Sequence, residues 1–124
     1  MIETNQAHLD VVAASHPGMT GKKNEDRYAT ASFLSGVKRK TPSVFAVLSD
    51  GIGGHRAGEV AAQMAVTWIK NTVEASAEGD PLTILEEAIN RANCAIYEAS
   101  FTAQGCQGMG ATCACAWIIG DRLY

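Results

Sequence analysis

The chain has 124 residues, and its 47% hydrophobic and 19% charged content can bury a core, which excludes a disordered protein. Ten basic and 13 acidic side chains leave a net charge of -3, so no strongly basic face is expected and nucleic acid is excluded as a main partner. No apolar run is long enough to span a membrane, and the polar start Met1–Gln6 does not read as a signal peptide, so the expectation is a cytoplasmic protein.

In chain order, His8–His16 carries Leu9, Val11, Val12 and Ala13 and is predicted as a strand, broken by Pro17-Gly18. His8 and His16 flank it and read as structural. A loop runs to Asp26, and the alternation over Arg27–Phe33 predicts a second strand. Gly36–Thr41 is polar and turns the chain; Lys38-Arg39-Lys40 reads as a solvated loop or hairpin tip. Ser43–Ser49, with Val44, Phe45, Val47 and Leu48, predicts a buried strand.

The period then changes. Val60, Met64, Trp68 and Thr72 recur every four residues over Arg56–Ala75, with Ala61, Ala65 and Ile69 beside them, which predicts a helix with Trp68 in the core. After a polar break at Ser76–Gly79, Asp80-Pro81 supplies an N-cap acid and a first-turn proline. Leu85, Ala88, Ile89, Ala92, Ala95 and Ile96 give the second helix its apolar face, to an end near Phe101. Gly105–Gly110 is a glycine-rich loop. Ala111–Ile119, with Trp117, reads as a core strand, and Gly120-Asp121 as a tight turn into a return strand from Arg122. The chain stops as that strand begins, which reads either as part of a larger domain or as a short final strand at a sheet edge.

The four cysteines, Cys94, Cys106, Cys113 and Cys115, include no CxxC pair and read as small buried thiols rather than a zinc site.

Two acidic points stand out: Asn24-Glu25-Asp26, and Asp50 at the end of the third predicted strand. Gly51-Ile52-Gly53-Gly54 follows Asp50, and glycine there permits positive φ and close backbone approach. Phosphate-cradle motifs fail: Arg56 stands where the dinucleotide fingerprint needs glycine, and Glu59-Val60 where a P-loop needs lysine and a hydroxyl. Glu25, Asp26, Asp50 and the Gly51 carbonyl are all oxygen donors, a set suited to magnesium or manganese if the strands bring them together.

Three segments resemble the type 2C (PPM) family of metal-dependent serine/threonine phosphatases. Gly18 through Asn24-Glu25-Asp26 resembles its first motif. Val47-Leu48-Ser49-Asp50-Gly51-Ile52-Gly53-Gly54-His55 with Ala57-Gly58-Glu59-Val60-Ala61 resembles its most characteristic motif, in the bacterial form. Gly108-Met109-Gly110-Ala111-Thr112 resembles the segment that opens a core strand. The resemblance implies an α+β fold, a partial α-β-β-α sandwich of antiparallel sheets flanked by two long helices, with residues 1–124 as the N-terminal part of a single catalytic domain.

It further implies two Mn2+ or Mg2+ ions bridged by Asp50, with the Gly51 carbonyl and Glu25 serving one ion and Asp26 as a water-mediated ligand or supporting acid. In the complete domain the water between the ions attacks phosphorus directly, hydrolysing phosphoserine and phosphothreonine in protein substrates. The family's phosphate-gripping arginine falls at Gly21 here, which leaves Lys22 or Lys23, single-point donors without the bidentate fork, in its place. His55 is either near substrate or a solvent-facing helix residue. The chain alone is expected to be weakly active or inactive, and to self-associate over exposed sheet. The alternative is a non-catalytic binding module of the same fold, a pseudophosphatase.

Overall fold

Alternation along two long strands builds the molecule. A computed structural model describes all residues except Gln6, Ala7, Val37, Lys38, Arg39, Gly54 and Ala77, together with the side chains of His55 and Arg56. Its elements are β1 (Ile2–Glu3), β2 (Asp26–Ser35), β3 (Thr41–Ile52), α1 (His55–Ala75), α2 (Pro81–Thr102), β4 (Gly110–Ala111), β5 (Ala114–Ile119) and β6 (Arg122–Leu123). The strands form one antiparallel sheet in the order β1-β2-β3-β5-β6, and β4 pairs with the far end of β3. This is the α+β arrangement expected, with one sheet and two long helices among the described residues.

Successive strand residues point to opposite faces. On one face Phe33, Phe45, Val47 and Trp117 pack under Val66, Ile69 and Val73 of α1 and Ala88 and Ala92 of α2. Phe45 and Trp117 meet edge to face with ring centroids 6.3 Å apart. Full burial of side chains this large contributes about 2–3 kcal/mol each. Asp80 caps α2 by accepting from the Thr83 backbone N–H (2.9 Å), with Pro81 in the first turn, as its sequence signature requires. Gly120 sits at φ +59 in the β5–β6 turn, a conformation that favours glycine. Among the described residues no helix is long and apolar enough to cross a membrane.

Four expectations need correction. His8–His16 is not a strand: among the described residues nothing regular forms between Glu3 and Asp26, and Val12 is 94% exposed. Val11 to Ala14 is apolar without alternation, so it has no single face to bury. The segment instead crosses the sheet face away from the helices. His8 Nε2 lies 3.0 Å from the Gly120 carbonyl, the Tyr28 hydroxyl donates to the Ala13 carbonyl (3.5 Å), and Asn24 donates to Ser15 Oγ (2.7 Å).

Trp68 is 44% exposed rather than core. At 3.6 residues per turn an every-fourth row drifts by about 40° per step. The buried face of α1 therefore follows Ala61, Ala65, Val66, Ile69 and Val73, and the row through Trp68 rotates off it. The predicted strand Ala111–Ile119 is interrupted at Thr112 and Cys113 because Thr112 turns toward β3. Among the cysteines only Cys106 is buried; Cys94 and Cys113 are exposed and Cys115 is half-buried. Lys38 and Arg39 of the predicted hairpin tip lie outside the described residues.

Candidate metal centre

β3 runs two residues past Asp50, and its length carries the acid along the edge of the helix-free face. In the β2–β3 register Asp26 stands directly opposite Asp50. The Asp50 backbone is turned the other way. Its N–H donates to Thr112 Oγ1 (3.0 Å) and its carbonyl accepts from the Thr112 N–H (2.8 Å). Ser49 Oγ, fully buried, donates to the Thr112 carbonyl (2.7 Å). Asp26 and Asp50 are therefore a pair without mutual backbone bonds, the geometry in which facing side chains come closest, with Cα atoms roughly 4.5 Å apart. Both are exposed and line a groove of about 770 Å³ together with Tyr28, Leu48 and Ala114.

Two carboxylates facing each other across strands repel. A divalent cation between them reverses the sign of that interaction. Together with the Gly51 carbonyl the donors are all oxygen, which suits Mg2+ or Mn2+. No group of three His, Cys, Asp or Glu side chains converges on one point among the described residues. The donor set fits a hard cation that keeps several waters.

Glu25 lies elsewhere. Its carbonyl accepts from the Gly51 N–H (3.3 Å), but its carboxyl rests against Gly58 near the start of α1. A Cβ on Gly58 would come within 2.7 Å of the Glu25 carboxyl carbon, and a Cβ on Gly51 within 1.9 Å of the Gly58 carbonyl oxygen. The glycines allow β3, α1 and the Glu25 loop to meet with no side chain between them. Of the four predicted metal donors, the register faces Asp26 with Asp50, Gly51 follows Asp50 in β3, and the Glu25 carboxyl rests against Gly58.

The phosphate-binding expectations divide. Lys23 is ion-paired to Glu59, which also receives Arg27 (2.5 Å). Those contacts, the Lys23 hydrogen bond first, hold the Glu59 carboxyl below the ordinary carboxylate range. Arg27 also donates to the carbonyls of Asn24 (3.0 Å) and Asp26 (2.7 Å), tying the acidic loop to α1. Lys22 is exposed and forms no ion pair among the described residues. Gly21 has φ +72. The His55 side chain lies outside the described residues.

Sequence reasoning missed two residues that position the site. Thr112 was visible only as part of a glycine-threonine segment, and Gly58 only as part of a motif. Both act through contacts across 62 and 7 positions of the chain that local pattern cannot report.

An antiparallel sheet under two helices, with an acidic pair at the end of its central hairpin, defines the class. The chain belongs to the protein phosphatase 2C family, whose model matches residues 15–124. It is 33% identical over 116 residues to the serine/threonine protein phosphatase PstP of Mycobacterium tuberculosis, covering 93% of this chain and 20% of PstP. Among solved structures it resembles the serine/threonine phosphatase Stp1 from Staphylococcus aureus (TM-score 0.67, 29% identity, 94% of this chain and 46% of that one). It also resembles the catalytic domain of PstP in complex with two manganese ions (TM-score 0.58, 30% identity, 79% of this chain and 45% of that one). The chain spans less than half the length of these relatives.

Proposed function

We propose that the Asp26–Asp50 end of the sheet is one part of a divalent-metal site for hydrolysis of phosphoserine and phosphothreonine in proteins. The observation that carries this reading is the register that faces Asp26 with Asp50 while Thr112 holds the Asp50 backbone from the opposite side. Asp50 and the Gly51 carbonyl would hold Mn2+ or Mg2+, and Asp26 would orient water beside them. When bound, such ions acidify water and neutralise phosphoryl charge. The chain's own residues contribute placement: β3 fixes Asp50, Thr112 locks its backbone, and the Gly51–Gly58 approach sets the distance to α1.

The reading assigns full activity to a domain of the length these relatives have. The 124-residue chain alone is expected to release little or no phosphate from a phosphothreonine peptide with Mn2+. Robust manganese-dependent release by this chain would overturn that part of the reading, and loss of it in Asp50→Asn would then still support the assignment of Asp50.

A second reading, a module that binds without hydrolysing, draws on one observation: Lys23 is committed to Glu59, which leaves Lys22 to replace the arginine missing at Gly21. Glu59→Gln frees Lys23. If that variant binds the phosphopeptide more tightly by severalfold without any gain in hydrolysis, the binding module is favoured. Unchanged binding would leave Lys22 as the phosphate contact.

A further inference from the structure

Two cysteines have no part in the metal centre yet are placed with care. Cys113 Sγ and Cys115 Sγ are 3.3 Å apart. Residues two apart in a regular strand are separated by roughly 6.6 Å along it, with parallel side chains. The contact exists because β4 ends at Ala111 and β5 begins at Ala114, so Cys113 is outside the ladder and bends toward its neighbour. Cys113 is exposed and Cys115 half-buried against the helix-side core. Packing accounts for Cys115 alone: Cys113 is exposed, and a lone pair of sulfurs is too few for a closed metal site. The remaining cysteines provide a comparison within the same chain, since Cys94 is exposed and single and Cys106 is buried.

We propose that Cys113 and Cys115 are a redox dithiol that hydrogen peroxide converts to an intrachain disulfide. The Cys113 thiolate attacks one peroxide oxygen, the O–O bond breaks, and the departing hydroxide takes a proton to become water. Cys113 is then a sulfenic acid, oxidised by two electrons while peroxide is reduced. The Cys115 sulfur attacks Cys113 Sγ, the S–O bond breaks, and the oxygen leaves as a second water with the Cys115 proton. Two thiols and one peroxide give one disulfide and two waters.

Exposure assigns the attacking role to Cys113 and shelter the resolving role to Cys115. The hydrogen bond between the sulfurs supports the same division, lowering the Cys113 pKa to about 7 and pushing that of Cys115 up. A lowered pKa raises the thiolate fraction at neutral pH, which favours attack by Cys113.

The test treats the native 124-residue chain with hydrogen peroxide in EDTA, so neither outcome depends on metal or on the phosphatase reading. Quenched samples are alkylated in denaturant, digested and weighed. The expected product is a peptide carrying both Cys113 and Cys115 that has lost the mass of two hydrogens, resists alkylation and recovers with dithiothreitol, while Cys94 and Cys106 still alkylate. Cys115→Ser should instead accumulate a dimedone adduct at Cys113. Oxidation of Cys94 at least as fast as Cys113, or conversion of Cys113 to sulfinic acid with no disulfide, would overturn the proposal.

Discussion

The two faces of the sheet are made by the same strands and do different work. On the helix side of β3, Phe45 and Val47 are sealed under α1 and α2. On the other side Leu48 is 58% exposed and Asp50 faces Asp26 along an open groove that the irregular residues Val11–His16 also line. From Phe45 to Asp50, alternation lets the strand seal its odd residues and leave Leu48 and Asp50 open. The difference teaches that the acidic pair is held rigid by a core it does not touch.

The largest expected effect sharpens that contrast. Phe45→Ala should cost about 3–5 kcal/mol in denaturant unfolding, whereas Leu48→Ala, three residues along, should stay within about 0.5 kcal/mol. Similar costs at the two sites would break the division of faces. Next comes Gly51→Ala, whose Cβ meets backbone rather than a movable side chain. A loss of about 1–3 kcal/mol is expected from such overpacking, and wild-type stability would refute the close approach of β3 and α1.

Asp80→Ala, at the start of α2, should lower Tm by roughly 4 °C. Thr83 holds the Asp80 carboxyl below its ordinary 3.8, the backbone bond first. The cap's stability is therefore complete above that ordinary value and is lost as pH falls through the lower folded one. Tm measured against pH should show the wild type converging on the variant in acid. Metal-free Asp50→Asn should unfold at the same denaturant concentration as wild type or slightly higher, by up to about 0.5 kcal/mol, because it removes a like-charge pair; a clear loss would give Asp50 a structural role. The smallest effect concerns the open face itself. Tyr28 and Leu48 are exposed on it, so self-association is expected to grow with concentration in sedimentation velocity and to weaken in Leu48→Ser. A monomer at every concentration would contradict this.

What could be read from sequence was what local chemistry decides. Asp80-Pro81 marked the start of α2, and the run Val44–Leu48 marked β3, because caps and β-rich apolar runs act within a few residues. The family was legible from the stretch around Asp50. The Asp26–Asp50 pairing was only a condition on strand register, which depends on a hairpin that residue types do not specify. Val11 and Val12 misled because apolar content without alternation resembles a strand until one asks which face it buries. Trp68 misled because an every-fourth row looks like a helix face but drifts around it. The separation of Glu25 from Asp26, and the contact between Cys113 and Cys115, follow from one residue of alternation and one break in a ladder.

The most direct test of the metal centre is Mn2+ titration of the isotope-labelled chain followed by amide line broadening, which detects weak binding. Broadening is predicted to begin at Asp26, Asp50 and Gly51 and to disappear in Asp50→Asn. Broadening centred elsewhere, or unchanged in Asp50→Asn, would contradict the assignment.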